Sequence, residues 1–217
     1  MCAHAANATV QEMACWALMN ITACNDAHSI LCTQAAVDAD ALPQIVAAMR
    51  GHAANVAVQQ KACRALVSIT AGDDAQGCAR AQAAADAGAL PQIVAAMRAH
   101  EANADVQQWA CRTLVSITAS NSAQGDARRQ VAADVGALPQ IVAAMRAHAA
   151  NAAVQEYACW ALASITSDVN AHGRARRRVA ADAGALTRIV AAMRAHAANA
   201  TVQQQGRIAR RLLQRYA

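Results

Sequence analysis

The chain has 217 residues, 56% of them apolar but only 2% aromatic with no Phe, and its formal net charge is +5. Most of the apolar fraction is alanine, the strongest helix former, so an all-helical protein with a buried core is expected and a sheet-rich one is not. No run of eighteen apolar residues offers a membrane span, and "MCAHAANATV" lacks the basic start and apolar stretch of a secretory leader; this points to a soluble intracellular protein, cytoplasmic, with a nuclear or assembly-bound location also compatible.

Displaced by 48 residues, the sequence aligns with itself without a gap, as the columns His4, His52, His100, His148, His196 and Asn7, Asn55, Asn103, Asn151, Asn199 show. In chain order the pattern predicts a half unit over 1–26, units over 27–74, 75–122 and 123–170, and a capping unit over 171–217, all in one domain. The half unit is a single helix whose Met13, Cys15, Leu18, Met19 and Ile21 have no earlier unit to cover them. Association through this uncovered N-terminal helix is therefore expected. Met1 shares a column with Met49, Met97, Met145 and Met193, so an array continuing upstream in the same register is a further expectation.

Each full unit reads as three helices. In the 123–170 unit the first, "AQGDARRQVAAD", stops before Gly136, which can take the left-handed conformation that ends a helix. The second, "ALPQIVAAMRAH", carries Pro139 in its first turn, where a missing N–H costs nothing. After a short turn Asn151 is placed to cap the third helix, "AAVQEYACWALASIT", whose Val154, Ala158, Leu162 and Ile165 form an apolar stripe. No unit can bury its faces alone, so the units must stack.

Eight cysteines suggest a disulfide framework, yet Cys15, Cys63, Cys111 and Cys159 recur at the repeat period inside the third-helix pattern. One repeat, on the order of 10 Å, exceeds the separation a disulfide tolerates, so these four read as small core residues in a reducing compartment. Cys2, Cys24, Cys32 and Cys78 are irregular and carry no assigned role.

"DAGALPQIVAAMR" (86–98), "VQQWACRTLVSIT" (106–118) and "ACWALASI" (158–165) together resemble the armadillo repeat, and the resemblance spans essentially the whole chain. These units are longer than the usual armadillo length of about 42 residues. A tetratricopeptide reading fails on its shorter period; HEAT repeats usually lack the Gly-Ala-Leu-Pro turn. The resemblance implies an all-α, armadillo-like α-solenoid, a right-handed superhelix of three-helix repeats with the third helices lining a concave groove. In armadillo proteins that bind extended peptides, a Trp and an Asn four residues later face that groove. Here the Trp position holds Trp16, Arg64, Arg112 and Trp160, and the Asn position holds Asn20, Ser68, Ser116 and Ser164. Only the first unit keeps both, and serine cannot supply the paired donor and acceptor of an asparagine amide.

A second variable column, three residues before the Trp position, holds Met13, Lys61, Trp109, Tyr157 and Gln205. Every tryptophan of the chain falls in these two columns, where side chains vary in size and charge while other columns stay small and alike. That variation fits a partner-binding surface; aromatic plugs over an inner surface of small residues are the alternative. Lys61, Arg64 and Arg112 make the middle basic, flanked by Glu12 and Glu156, which suits an acidic segment.

Charge is uneven along the chain: residues 1–109 carry five basic and nine acidic side chains (−4), residues 110–217 fourteen and five (+9). Arg174, Arg176, Arg177 and Arg178, with Arg128 and Arg129 a repeat earlier, read as a basic patch on first helices, and the last helix adds Arg207, Arg210, Arg211 and Arg215. A solvated terminal cap or a dock for an acidic protein would each explain them, whereas nucleic acid is not expected because no aromatics interleave with them. The histidine column reads as part of the turns, and Asp38, Asp86, Asp134 and Asp182 as helix-end chemistry.

No metal, cofactor or catalytic constellation is expected. The functional expectation is a non-enzymatic scaffold for protein–protein interaction, holding an extended, acidic protein or peptide segment in the groove. The alternative is a fixed structural subunit that uses its ends and convex surface within a larger assembly.

Overall fold

A computed structural model describes residues 1–23, 27–72, 74–120 and 122–214. Cys24 and Arg215 lie outside them. After a short 3₁₀ turn at Cys2–His4, the described residues form thirteen α-helices and no strand. First helices are α2 (Ala27–Asp38), α5 (Ala75–Asp86), α8 (Ala123–Asp134) and α11 (Ala171–Asp182). Second helices are α3 (Ala41–Gly51), α6 (Ala89–Ala99), α9 (Ala137–Ala147) and α12 (Ala185–Ala195). Third helices are α1 (Ala8–Thr22), α4 (Val56–Thr70), α7 (Ala104–Thr118), α10 (Ala152–Ile165) and α13 (Ala200–Gln214). Each third helix packs most extensively against the third helix of the next unit, and second helices form a thinner parallel layer, α3 to α6 to α9 to α12. The result is an all-α solenoid.

Local chemistry sets the helix limits. Asn7, Asn55, Asn103, Asn151 and Asn199 each accept a hydrogen bond from the backbone N–H three residues on, at 3.0–3.1 Å, satisfying one orphan donor of a third helix. Gly88, Gly136 and Gly184 precede the second helices with φ of 83°, 86° and 84°, while in the first full unit Asp40 takes the same left-handed place at φ 56°. α9 ends at Ala147 rather than His148, which is its C-cap with φ −117°, and α10 ends at Ile165 with Thr166 as its cap.

Gln59, Gln107 and Gln155 are buried, and each donates from Nε2 to two carbonyls at the end of the preceding second helix, Gln107 to Met97 at 2.8 Å and His100 at 2.9 Å. The histidine column reaches between units: Nε2 of His52, His100, His148 and His196 lies 2.7–2.8 Å from the carbonyl oxygen of the residue 47 positions earlier. Each ring ties a turn to the turn before it.

Val154, Ala158, Leu162 and Ile165 are fully buried, as are Ala62 and Ala110 in the Ala158 column. A methyl side chain at that repeating position lets neighbouring third helices approach closely. The six cysteines whose state is described are free thiols, and Cys15, Cys63, Cys111 and Cys159 are fully buried. Burial pushes each of these four up to about 12, so they stay protonated.

Candidate functional site

Residues three and four apart share one face of a helix. On the third helices that rule gathers Met13, Trp16 and Asn20; Lys61, Arg64 and Ser68; Trp109, Arg112 and Ser116; Tyr157, Trp160 and Ser164. Where these helices lie side by side, their large side chains stack. The Arg64 guanidinium carbon lies 4.8 Å from the centre of the Trp109 ring, and that of Arg112 lies 5.1 Å from Trp109 and 5.5 Å from Tyr157. Tyr157 and Trp160 continue the series, with ring centres 6.4 Å apart and planes 14° apart. A ladder of alternating cations and rings thus crosses α4, α7 and α10. Among the described residues it does not extend to Trp16, which stands 45% exposed on α1.

Each cation–ring contact contributes about 0.5–1 kcal/mol where solvent is near. Its larger effect is on geometry: packing against a ring restricts the conformations open to each guanidinium. Neither Arg64 nor Arg112 makes an ion pair among the described residues, and Nε of Arg64 has no hydrogen-bond partner. Lys61 is half-buried on the same helix as Arg64.

Two depressions open on this layer. One, of about 480 Å³, is lined by Asn20 with Met19 of α1, Arg64 and Ser68 of α4, and Trp109 and Arg112 of α7. The other, of about 630 Å³, is lined by Trp160, Ala163 and Ser164 of α10 and by Gln205, Ile208 and Leu212 of α13. A family model described as the LRRK2 ARM repeat matches residues 1–138, more than half of the chain, and one described as the Armadillo/beta-catenin-like repeat matches residues 126–167. The chain belongs to the armadillo (ARM) repeat family. No curated protein matches it.

Armadillo repeats generally mediate protein–protein interaction and are typically non-enzymatic. At the armadillo Asn position this chain does something different. Ser68, Ser116 and Ser164 are paired through their hydroxyls with Thr22, Thr70 and Thr118 of the preceding third helix, at 2.9, 2.8 and 2.9 Å. The serines are inter-unit staples, each tying its third helix to the one before it.

The basic patch expected from the sequence requires correction. Arg128, Arg129, Arg176 and Arg177 are buried, and only Arg174 and Arg178 of the six are exposed. Buried arginines close the C-termini of third helices. Nε of Arg80, Arg128 and Arg176 donates to the carbonyls of Ile69, Ile117 and Ile165 at 2.7, 2.7 and 2.8 Å, and Nη1 of Arg177 donates to that of Thr166 at 2.7 Å. Those ends carry orphan carbonyls and the negative pole of the helix, which a guanidinium satisfies together.

Between the last two units the caps join an ion network. Arg129 grips Asp168 with two bonds of 2.6 Å, while Arg176 donates to Asp126 at 2.6 Å and also to Asp168. Burial alone would raise Asp126, but bonds from Arg176, then Asn170 and His172, hold its carboxyl well below the usual carboxylate range. Sequence reasoning overlooked Asp168, whose column neighbours Gly72 and Ser120 give no hint of it. It also overlooked Ile208 and Leu212 in the groove. Those two were within reach, since they continue the Trp and Asn columns by one more period.

Proposed function

We propose that the groove face of the third helices binds an extended, acidic segment of a partner protein, with no chemistry performed on it. One observation carries this reading: Arg64 and Arg112, immobilised on Trp109 without ion pairs, line a depression of about 480 Å³. A guanidinium fork held rigid matches a carboxylate in geometry and charge, and loses little further freedom when it pairs. Membership of a family that binds proteins supports the same reading, and no helix among the described residues is long and apolar enough to cross a membrane.

Fluorescence polarisation with a labelled twelve-residue Glu/Ser peptide and its Lys/Ser counterpart tests it. The acidic peptide is expected to bind and the basic one not. Arg112→Ala should weaken binding by about tenfold or more, as for an interface anchor, and Arg178→Ala should leave it unchanged. Equal binding of both peptides, or indifference to Arg112→Ala, would overturn the reading.

A second reading, a fixed structural subunit of a larger assembly, is favoured by the apolar surface of α1, where Met13, Trp16 and Ile21 are 44%, 45% and 53% exposed. Light scattering on the purified chain decides between them. A monodisperse monomer that binds the acidic peptide would leave the subunit reading without support.

A further inference from the structure

The floor of the groove changes character along its length. In the Trp column, Arg64 and Arg112 are followed by Trp160 and Ile208; in the Asn column, Ser68, Ser116 and Ser164 are followed by Leu212. The depression around α4 and α7 is therefore lined by the two unpaired guanidiniums. The depression around α10 and α13 is lined by Trp160 and Ile208, 40% and 43% exposed, together with Ala163 and Leu212. The one cation lining the second, Arg129, is buried and already held by both oxygens of Asp168. What it offers instead is apolar surface that water covers at a cost until a partner displaces it.

We infer that the groove reads two anchors at once: an acidic side chain between Arg64 and Arg112, and an apolar side chain against Trp160, Ile208 and Leu212. The inference rests on the proposed binding of an acidic segment and adds its sequence requirement. From the α4/α7 pair to the α10/α13 pair is two helix spacings, about 18 Å at about 9 Å each. An extended chain advances about 3.3 Å per residue, so the anchors lie about five to six residues apart. Between them the floor offers the Tyr157 ring, stacked with Trp160, and Ser116, whose hydroxyl is paired with Thr70.

The test uses the full chain and labelled Gly/Ser peptides carrying a Glu-Glu pair and one Leu, separated by two, six or ten residues in both orders, beside a Glu-Glu peptide without Leu. Fluorescence polarisation is expected to give about tenfold tighter binding at a separation of six, in one order, than at two or ten. Ile208→Asn, a neutral change at an exposed position, should reduce the six-residue peptide to the affinity of the peptide without Leu. If every acidic peptide binds alike, the two-anchor inference is overturned and the acidic groove stands. If none binds, both fall. Displacement of every peptide by a sixteen-nucleotide thymidine oligomer, which then binds more tightly, would overturn the inference in favour of nucleic acid.

Discussion

Replacing Arg176 with Met keeps the stem of a buried side chain and deletes its charge. Four contacts go with it: the Ile165 carbonyl at 2.8 Å, Gln130 Oε1 at 2.9 Å, Asp126 at 2.6 Å, and Asp168. Breaking a buried pair from one side costs about 3–5 kcal/mol, because the other charge is left behind. Here Asp168 keeps Arg129, Asp126 keeps Asn170 and His172, and their side chains are 16% and 21% exposed, so the lower end applies, about 3 kcal/mol. Urea unfolding monitored by circular dichroism measures the cost. Because a solenoid transmits contacts only between neighbouring units, hydrogen exchange should speed up at the end of α10 and in α11 while α4 is unaffected. Arg178→Met, two residues away and exposed, is the control and should stay within about 0.5 kcal/mol of the parent. If Arg176→Met cost no more than Arg178→Met, the internal role given to the arginines would be wrong.

Three further outcomes are expected. Asp40→Gly relieves a left-handed conformation that β-carbon-bearing residues adopt at a cost, and should raise stability by about 1 kcal/mol; a loss in the same urea experiment would show that Asp40 is not strained. Asp126 is held below its unfolded value, so its stabilisation is complete above about pH 4 and fades as pH falls further. The Tm difference between the parent and Asp126→Asn should accordingly be full at about pH 6 and narrow progressively below about pH 4, and a gap independent of pH would contradict it. Finally, with Cys2, Cys24, Cys32 and Cys78 changed to Ser, the four buried thiols, pushed up to about 12, should resist a thiol reagent until denaturant is added, and prompt labelling of the native chain would refute their burial.

Much of the fold was legible because the signals that place these helices act within a few residues. An asparagine caps the N–H three positions on, a glycine takes the left-handed turn before a second helix, and both recur at the period that sets the stacking. The candidate site was legible as two variable columns, since the face a side chain takes on a helix follows from its spacing. Its chemistry was only half legible. That Arg112 would lie against both Trp109 and Tyr157 follows from the column arithmetic only once the third helices are known to be neighbours.

By itself, the sequence determined the period, the helix limits to within a residue in the 123–170 unit, and the variable columns, all consequences of local hydrogen bonding and helical geometry. Only the tertiary structure decided which polar groups face water. Arg176 and Arg178 are two residues apart in one basic run, yet one is buried and the other exposed. The difference is made by Ile165, Asp126 and Asp168, carbonyl and carboxylates that stacking brings to one guanidinium and not to the other. Ser164 is settled in the same way, by Thr118 lying 46 residues earlier in the chain and 2.9 Å away in space.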